Sequence, residues 1–452
     1  MIQTFVNAWK VPELRKKMLF TLMIILLYRI GANLVIPYVS VGTVEISNKF
    51  SGNGIFELLS MLSGEAFSKA TFFALSVSPY ITASIVIQLL SIAIPALEKM
   101  SKDEQGQKKL SSATRWVTVG LSIITAWGYV SMLNSYGLLH SSAKNVDGDI
   151  RVFPYIVMIA CLCAGASLIM WLAEKINEHG IGNGISIILF ANIIAGFTTR
   201  VNSTIDMLKK NPNTPIETFH TGWDLFFGIV GVIFSVALTL GAIVFIVWFT
   251  NSERRIKVIY AKRVVGRKTY GGQKTNLPLK MNMAGVMPVI FSSSIVSIPA
   301  MIAQFVLASN PNSEFAKGVN SWFGQYTAIY FVLFVGLIVA FSYFYIAISF
   351  NPVEVANNIR NNGGAIIGIR PQEMAPFIKK ILNRVTLMGA IFLVIIAGVP
   401  LLAGAIVTMI GVPFDSLAFT GTSLLIAVGV ALELVRDLEA QLSMRNYKGF
   451  LD

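Results

Sequence analysis

Long apolar runs alternate with polar stretches along all 452 residues of the chain. A helix needs about 20 apolar residues to cross the hydrocarbon core of a bilayer. Ten runs approach or exceed that length, which predicts an all-α membrane protein with ten spans. Their approximate limits are 18–36, 70–94, 116–138, 153–173, 182–199, 223–249, 284–307, 325–349, 383–404 and 417–435.

Prolines occupy matching places in the two halves of this pattern. Pro79 lies early in span two and Pro288 early in span seven, and each precedes a stretch rich in Ile and Ser. Because each half has an odd number of spans, two such halves would have inverted topology. Proline is common in membrane helices, so coincidence is the alternative to an internal repeat.

The loop after span one contains an apolar stripe that is too short to cross a membrane. Its large apolar residues recur at helical spacing: Ile55, Leu58, Leu59 and Leu62. A short apolar helix either re-enters the membrane or lies flat at its surface. The residues alone favour neither arrangement.

Composition agrees with a membrane protein. The chain is 54% hydrophobic and 13% charged, whereas a soluble protein carries about 25% charged residues. The first apolar run follows four basic residues and is too long for a signal-peptide core. It also lacks a small-residue cleavage site, so we expect it to be a retained first span.

The basic residues are divided unequally between the two sides of the predicted membrane. The side of both termini carries 27 Lys and Arg and the opposite side 8, which gives net charges of +14 and −2. By the positive-inside rule both termini are cytosolic. The overall charge of +13 therefore indicates a basic cytosolic face rather than a nucleic-acid-binding protein.

The most basic stretch is the predicted cytosolic loop between spans six and seven. Branched and aromatic residues alternate there at Ile256, Val258 and Tyr260, before a Gly-Gly pair at 271–272. This pattern predicts a folded hairpin rather than a plain topology loop. A folded basic element beside a membrane is suited to binding an acidic partner.

Motifs for catalysis, metal binding or cofactor binding are missing from the sequence. There is no HExxH motif, and the glycines at 180–184 lack the dinucleotide-binding spacing. Carboxylates inside spans are scarce, with Glu433 the clearest, which argues against a proton-coupled transporter. We therefore expect no enzyme activity, no cofactor and no metal. Arg29 lies inside span one without a partner that the sequence identifies.

Five stretches together resemble the SecY family, the channel subunits of the bacterial Sec protein translocase. They are ERRIKVIYAKRVVGRKTYGGQKTNLPLKMNMAGVMPVIF at 253–291, FALSVSPYITASIVIQLL at 73–90, NEHGIGNGISI at 177–187, NPVEVANNIRNNGGAIIGIRP at 351–371 and RNYKGF at 445–450. The resemblance implies two pseudo-symmetric inverted halves of five spans. It also implies that residues 55–68 form a short re-entrant plug helix, which closes the channel from outside.

The resemblance further implies a pore ring of apolar side chains around the translocating polypeptide. The matching positions are Val77, Ile81, Leu189, Ile193, Ile290 and Ile426. Two of them depart from isoleucine but stay apolar, which retains the chemistry of the ring and affects its diameter. From the residues alone, ordinary helix packing is the alternative.

The function implied by the resemblance is the transport of unfolded secretory polypeptides with signal sequences across the bacterial plasma membrane. Transmembrane segments would leave sideways into lipid. The expected partners are SecE, SecG, the SecA ATPase and the ribosome, with possible contact of ribosomal RNA through the cytosolic loops. The expected docking residues are Arg254, Arg255, Arg263, Lys268 and Arg370.

The alternative function is a secondary transporter with inverted repeats for a small neutral solute. Under the channel hypothesis the chain divides into a cytosolic start, two halves joined by an external connector, and a cytosolic tail. The expected limits are 1–17, the N-terminal half 18–199 with the plug 55–68, the connector 200–222, the C-terminal half 223–435 with docking loops 250–283 and 350–382, and the tail 436–452.

Overall fold

The computed structural model describes most of the chain. The described residues are 2–39, 60, 63–143, 150–208, 237, 239–260, 262–265, 268–271, 274–309, 313–323, 327–410 and 421–448.

A helix coincides with each of the ten predicted spans, and within span six the structure describes residue 237 and residues 239–249. In chain order these helices are Pro12–Gly31, Ser78–Ala93, Glu104–Ser135, Val152–His179, Gly184–Leu208, Thr239–Thr250, Met287–Ser309, Ala328–Ser349, Met374–Ile410 and Gly421–Lys448. Shorter helices are Ile2–Lys10, Pro95–Lys102, Glu314–Trp322 and Pro352–Asn361, and Ser141–Ala143 is a 3-10 turn.

The helices differ in how fully they meet the requirements of a membrane crossing. Within the described residues, those of spans three, four, seven, eight and nine are long and apolar enough. Span two meets the requirement together with Pro95–Ser101, across a bend of 112°. The apolar helices of spans five and six are shorter, Gly184–Phe197 and Thr239–Thr250. Charges such as Arg29 and Arg436 lie inside the helices of spans one and ten.

Span two begins later than its hydropathy predicts. Residues 63–77, which we call the strap, form successive turns before the helix starts at Ser78. The strap lies with its backbone directly on span four, since a Cβ on Gly165 would be 1.9 Å from the Phe72 carbonyl oxygen. Only glycine permits such an approach of two backbones.

Apolar clusters fill the interior of each half and the boundary between them. One lies between the strap and spans three and four, in the first half. Another joins spans six to ten, in the second half. A third contains side chains from spans one, two, four and five together with spans seven, eight and ten. The two halves therefore share an apolar contact.

The two predicted docking loops fold into β-structure. The strands are β1 Glu253–Tyr260, β2 Lys262–Val265, β3 Lys268–Gly271, β4 Lys274–Lys280 and β5 Gly364–Ile366. The first sheet has the order β4-β1-β5, and both neighbours are antiparallel to β1. Because β5 comes from the loop 350–382, one sheet joins both loops.

The predicted hairpin is confirmed, but the predicted position of its turn was wrong. Gly271 pairs with Lys262 inside the β2–β3 ladder. The strands β2 and β3 are joined by residues 266–267, which lie outside the described part of the chain. The β-branched pair Val264-Val265 favours extended structure, so the strand continues past the alternation that the sequence showed first.

Candidate functional site

The six expected ring residues lie in one continuous cluster of buried side chains at the boundary between the halves. None of them is more than 6% exposed. They come from the end of the strap and from the helices of spans two, five, seven and ten. In order along the chain they are Val77, Ile81, Leu189, Ile193, Ile290 and Ile426.

Local structure at the start of span two aligns the first two of these residues. The backbone N–H of Ile81 donates to the Val77 carbonyl oxygen at 3.0 Å, so the two positions are one helical turn apart. Pro79 lies in the first turn, where the missing N–H of proline costs no helical hydrogen bond. The proline thus begins the helix and does not kink it.

A small cavity opens beside this cluster. Its volume is about 50 Å³, and four ring residues line it: Ile81, Leu189, Ile290 and Ile426. Val77 and Ile193 belong to the cluster but do not line the cavity.

Phe67 also lines the cavity, and sequence reasoning did not select it. It lies in the strap, where its ring centroid is 4.8 Å from that of Tyr129 in span three. The Tyr129 hydroxyl donates to the Phe67 carbonyl oxygen at 2.6 Å. The sequence did contain a signal for Phe67, because it is an aromatic residue within the expected plug segment.

The expected plug is only partly described. Its four large apolar residues, Ile55, Leu58, Leu59 and Leu62, lie outside the described residues. Residues 63–68 are described as turns, and most of their side chains are buried. The structure therefore describes the end of the expected plug, which is also the start of the strap.

Arg29 has partners that the sequence did not identify. Its Nη2 donates to the carbonyl oxygen of Ala191 in span five. Next to it, the Asn192 amide donates to the Tyr28 hydroxyl at 2.9 Å. Two polar contacts thus join spans one and five beside the ring.

Four of the five expected docking residues lie on strands of the first loop, and the fifth lies in the second loop. Arg254 and Arg255 are exposed on β1. Arg263 and Lys268 lie on β2 and β3. Arg370 is exposed and follows β5, outside any helix or strand, as the proline after it predicts.

A separate apolar core supports this basic surface. Side chains from β1, β4 and β5 pack against the helix Pro352–Asn361 and the start of span nine. Val258 and Ile366, which are paired across the sheet, are 2% and 4% exposed. We call the unit formed by residues 253–260, 274–280 and 352–378 the platform.

Charged groups connect the platform to span ten. Arg436 Nη2 donates to the Thr250 carbonyl oxygen at 2.8 Å and to Asn251 Oδ1 at 2.9 Å, just before β1. Burial, with the nearby charge of Arg436, lowers the pKa of Lys280 in β4. Burial also raises the pKa of the Asp437 carboxyl, an effect that Lys280 opposes.

Among the described residues, no three His, Cys, Asp or Glu side chains come together in a group that could hold a metal ion.

The sequence model of the SecY family matches residues 71–435. Protein translocase subunit SecY of Streptomyces galbus is 43% identical over 463 aligned positions, which cover 100% of both chains. The chain belongs to the SecY family. As a SecY protein it is a multi-pass membrane protein and the channel subunit of a protein translocase, not an enzyme. Membership of this family excludes the alternative function, a secondary transporter for a small neutral solute.

Solved structures show the same fold at low sequence identity. A protein-conducting channel covers 95% of this chain and 96% of its own, with a TM-score of 0.60 and 16% identity. A SecY structure concerned with the plug domain, the closed state and the membrane seal has a TM-score of 0.58 at 18% identity, covering 95% and 96%. Sec61 in a canine ribosome–channel complex has a TM-score of 0.59 at 14% identity, and the match covers 96% of both chains. The ten-span SecY fold with two halves is thus the fold of this chain.

Proposed function

We propose that this SecY protein moves unfolded secretory polypeptides across the bacterial plasma membrane through the ring of six apolar side chains. Transmembrane segments leave sideways into lipid. The single observation that carries the proposal is the meeting of these side chains, from both halves, in one buried apolar cluster, where four of them line a small cavity. Apolar side chains make no sequence-specific hydrogen bonds, so such a ring accepts varied polypeptides.

The same ring is proposed as the ion barrier of the resting channel. A narrow apolar constriction excludes water and thereby blocks ions, and it conducts once it is widened or made polar. The burial of all six ring side chains in one apolar cluster supports a constriction of this kind.

The test is the resting conductance of Ile81→Gly/Ile290→Gly in planar bilayers. Widening the ring is expected to admit water and raise ion leak well above that of wild type. If these residues only packed the core, the double variant would lose stability, about 2–5 kcal/mol for each large-to-small change, without leaking.

A matched control is Val296→Gly/Ile396→Gly. Both residues are buried, at 3% and 7% exposure, but belong to the apolar cluster inside the second half. This variant should lose comparable stability and keep a low resting conductance. Equal leak from both double variants, or from neither at matched folding, would remove the ring from the mechanism.

Residues 55–68 are proposed to form a plug that closes the ring from outside. The strap supports this, because Phe67 at the end of the segment already lines the cavity. In the related SecY structure the plug domain is associated with the closed state and the membrane seal. A cysteine pair at Leu59 and in span ten should crosslink in the resting channel.

The platform is proposed as the docking surface for SecA and for the ribosome, with both termini on its side, in the cytosol. The exposed Arg254, Arg255 and Arg370 on a folded support suit acidic partners, ribosomal RNA included. The related Sec61 is in a ribosome–channel complex. SecE and SecG are the proposed membrane partners. The limits proposed for the two halves and the loops remain those of the sequence hypothesis.

A further inference from the structure

The short helix Glu314–Trp322, which we call the linker helix, lies between the membrane-crossing helices of spans seven and eight. It starts five positions after Ser309, where span seven ends, and ends six positions before Ala328, where span eight starts. A chain extends at most about 3.6 Å per residue, so each end of the linker helix lies within about 22 Å of a span. One span separates it from each docking loop, which places it on the opposite side of the membrane from the platform.

Hydrogen bonds fasten the linker helix to both spans. Gln304 Nε2 of span seven donates to Asn320 Oδ1 at 2.8 Å. Just before span eight, the Thr327 hydroxyl donates to the Ser321 carbonyl oxygen at 3.2 Å. Ser313 caps the start of the helix, because its side chain accepts a backbone N–H of the first turn. The linker helix is therefore held at the ends of both spans.

Three different faces run along the linker helix, since successive residues are about 100° apart around a helix axis. The face that packs on the protein is buried or partly buried and consists of Ala316, Val319 and Asn320. A second face is polar and exposed and consists of Glu314, Lys317 and Ser321. The third face lies on one flank between them and carries Phe315 and Trp322, which are about 20° apart around the axis.

The aromatic face is strongly exposed. Phe315 is 78% exposed and Trp322 is 62% exposed. A helix with an apolar aromatic face beside a polar face lies in the plane of a membrane interface. Trp is enriched at that depth, because its ring is apolar while its N–H can reach polar groups. The position of the linker helix at the ends of two spans places this face at the height of the lipid headgroups.

The size of the aromatic face suits lipid better than a protein partner. Two aromatic side chains bury about 150–250 Å² each, and thus at most about 500 Å² together. A specific protein–protein interface buries about 800 Å² on each partner. Insertion into a lipid leaflet has no such minimum, because the leaflet surrounds whatever apolar surface enters it.

We propose that the linker helix is a membrane anchor, whose Phe315 and Trp322 insert into the headgroup region of the lipid leaflet opposite the platform. Its polar face, with Lys317, stays in water. Because the linker helix is bonded to spans seven and eight, the anchor fixes the depth of both spans at this leaflet. Span seven also carries the ring residue Ile290. The inference does not depend on the proposed role of the ring.

The first test measures the depth of each face in the full-length channel. Cys161→Ala/Cys163→Ala removes both native thiols. In that background Phe315→Cys, Trp322→Cys and Lys317→Cys are made one at a time and labelled with bimane. The labelled channels are placed in nanodiscs of phosphatidylethanolamine and phosphatidylglycerol, which leave both leaflets open to solvent.

The probes at Phe315 and Trp322 should be quenched several-fold more strongly by a lipid with a nitroxide at its headgroup than the probe at Lys317, the matched control. Aqueous iodide should give the reverse order. Equal lipid quenching at all three positions overturns the proposal. Strong iodide quenching at Phe315 and Trp322 would place the aromatic face in water, and shielding from both quenchers would show that protein covers it. Either result also overturns the anchor.

A second measurement tests whether insertion holds the linker helix in place. Phe315→Ser/Trp322→Ser removes the aromatic face with little change in helix propensity. Tryptic cleavage after Lys317 in nanodiscs should become several-fold faster, because the helix is then free to leave the interface. The control Glu314→Gln/Ser321→Ala changes the polar face and should be cleaved like wild type. Unchanged cleavage of the double serine variant, or equal acceleration in the control, overturns the anchor.

Discussion

The ring and the platform differ in the kind of surface that they present: the ring is apolar and buried, and the platform is charged and exposed. All six ring residues are apolar and at most 6% exposed. The platform instead exposes arginines such as Arg254 and Arg370 over its own apolar core. Under the proposed function, the ring would seal through the shape of its apolar side chains, whereas the platform would bind its partners through charge in water. Salt should therefore weaken partner binding at the platform and leave the resting seal unchanged.

The largest expected effect comes from breaking the core of the platform. Val258→Asp would place an unpaired charge at a site that is 2% exposed. An uncompensated buried charge costs about 3–5 kcal/mol. We expect the platform to become sensitive to protease and to lose its partners, while the resting conductance stays low.

The matched control is Ile259→Asp, the same substitution one residue later on the exposed face of β1. It should leave protease resistance near that of wild type. A raised ion leak in Val258→Asp would contradict the independence of ring and platform.

A smaller effect is expected from reversing one charge on the intact platform. Arg370→Glu should weaken binding to SecA or to the ribosome roughly tenfold, about 1.4 kcal/mol, because it reverses the attraction to an acidic partner. Unfolding stability should change by less than about 0.5 kcal/mol, as for most exposed substitutions.

Binding titrations at low and high salt are the measurement for Arg370→Glu. The difference from wild type should shrink at high salt, because screening weakens exposed charge interactions. Lys317→Glu, an exposed reversal in the helix Glu314–Trp322, serves as the control. Binding by Arg370→Glu that equals wild type at low salt would exclude this residue from docking.

The contact between span ten and the platform should contribute free energy of the same order. Arg436→Ala removes two hydrogen bonds made by a charged donor, at 2.8 and 2.9 Å. The cost is expected to be about 1–3 kcal/mol, measured as a lower melting temperature. Arg436→Lys keeps the charge without the planar guanidinium and should recover part of the loss. Equal melting of all three proteins would show that the contact is not stabilising.

The smallest effect concerns pH. The pKa of Asp437 is raised in the folded protein because burial disfavours its carboxylate. A carboxyl group with a raised pKa favours folding at low pH, and this contribution fades as the pH rises through the folded pKa. Asp437→Asn should therefore gain relative stability over wild type as the pH rises from about 4, near the unfolded pKa of Asp. Melting temperatures measured across pH 4–7 test this prediction. A loss of stability of Asp437→Asn relative to wild type over that range would contradict it.

Hydropathy predicted the ten helices because each coincides with an apolar run that polar stretches separate from the next. It did not predict the strap, since residues 70–77 are as apolar as the helix that follows. The turns there are set by tertiary contacts, such as that of Phe72 with Gly165. A left-handed backbone conformation at a residue such as Ser76, with a φ of 52°, is not indicated by any pattern in the sequence.

The site was predictable to different degrees. The resemblance selected six ring positions that the structure does bring into one cluster. The partner of Arg29 was not predictable, because the acceptor is a backbone carbonyl, which every residue possesses. The pairing of β5 with β1 was also missed, since three residues, Gly364–Ile366, are too few to show a strand period.

The third strand of the platform sheet has a consequence for biosynthesis. An isolated two-stranded hairpin is marginally stable in water, and the residues that complete its core include Ile366, Met374 and Ile378. A nascent chain that has emerged only through span eight lacks all of them. The platform can therefore fold only late in synthesis, after eight spans have left the ribosome. An unfinished channel would then have no stable surface on which to recruit a partner.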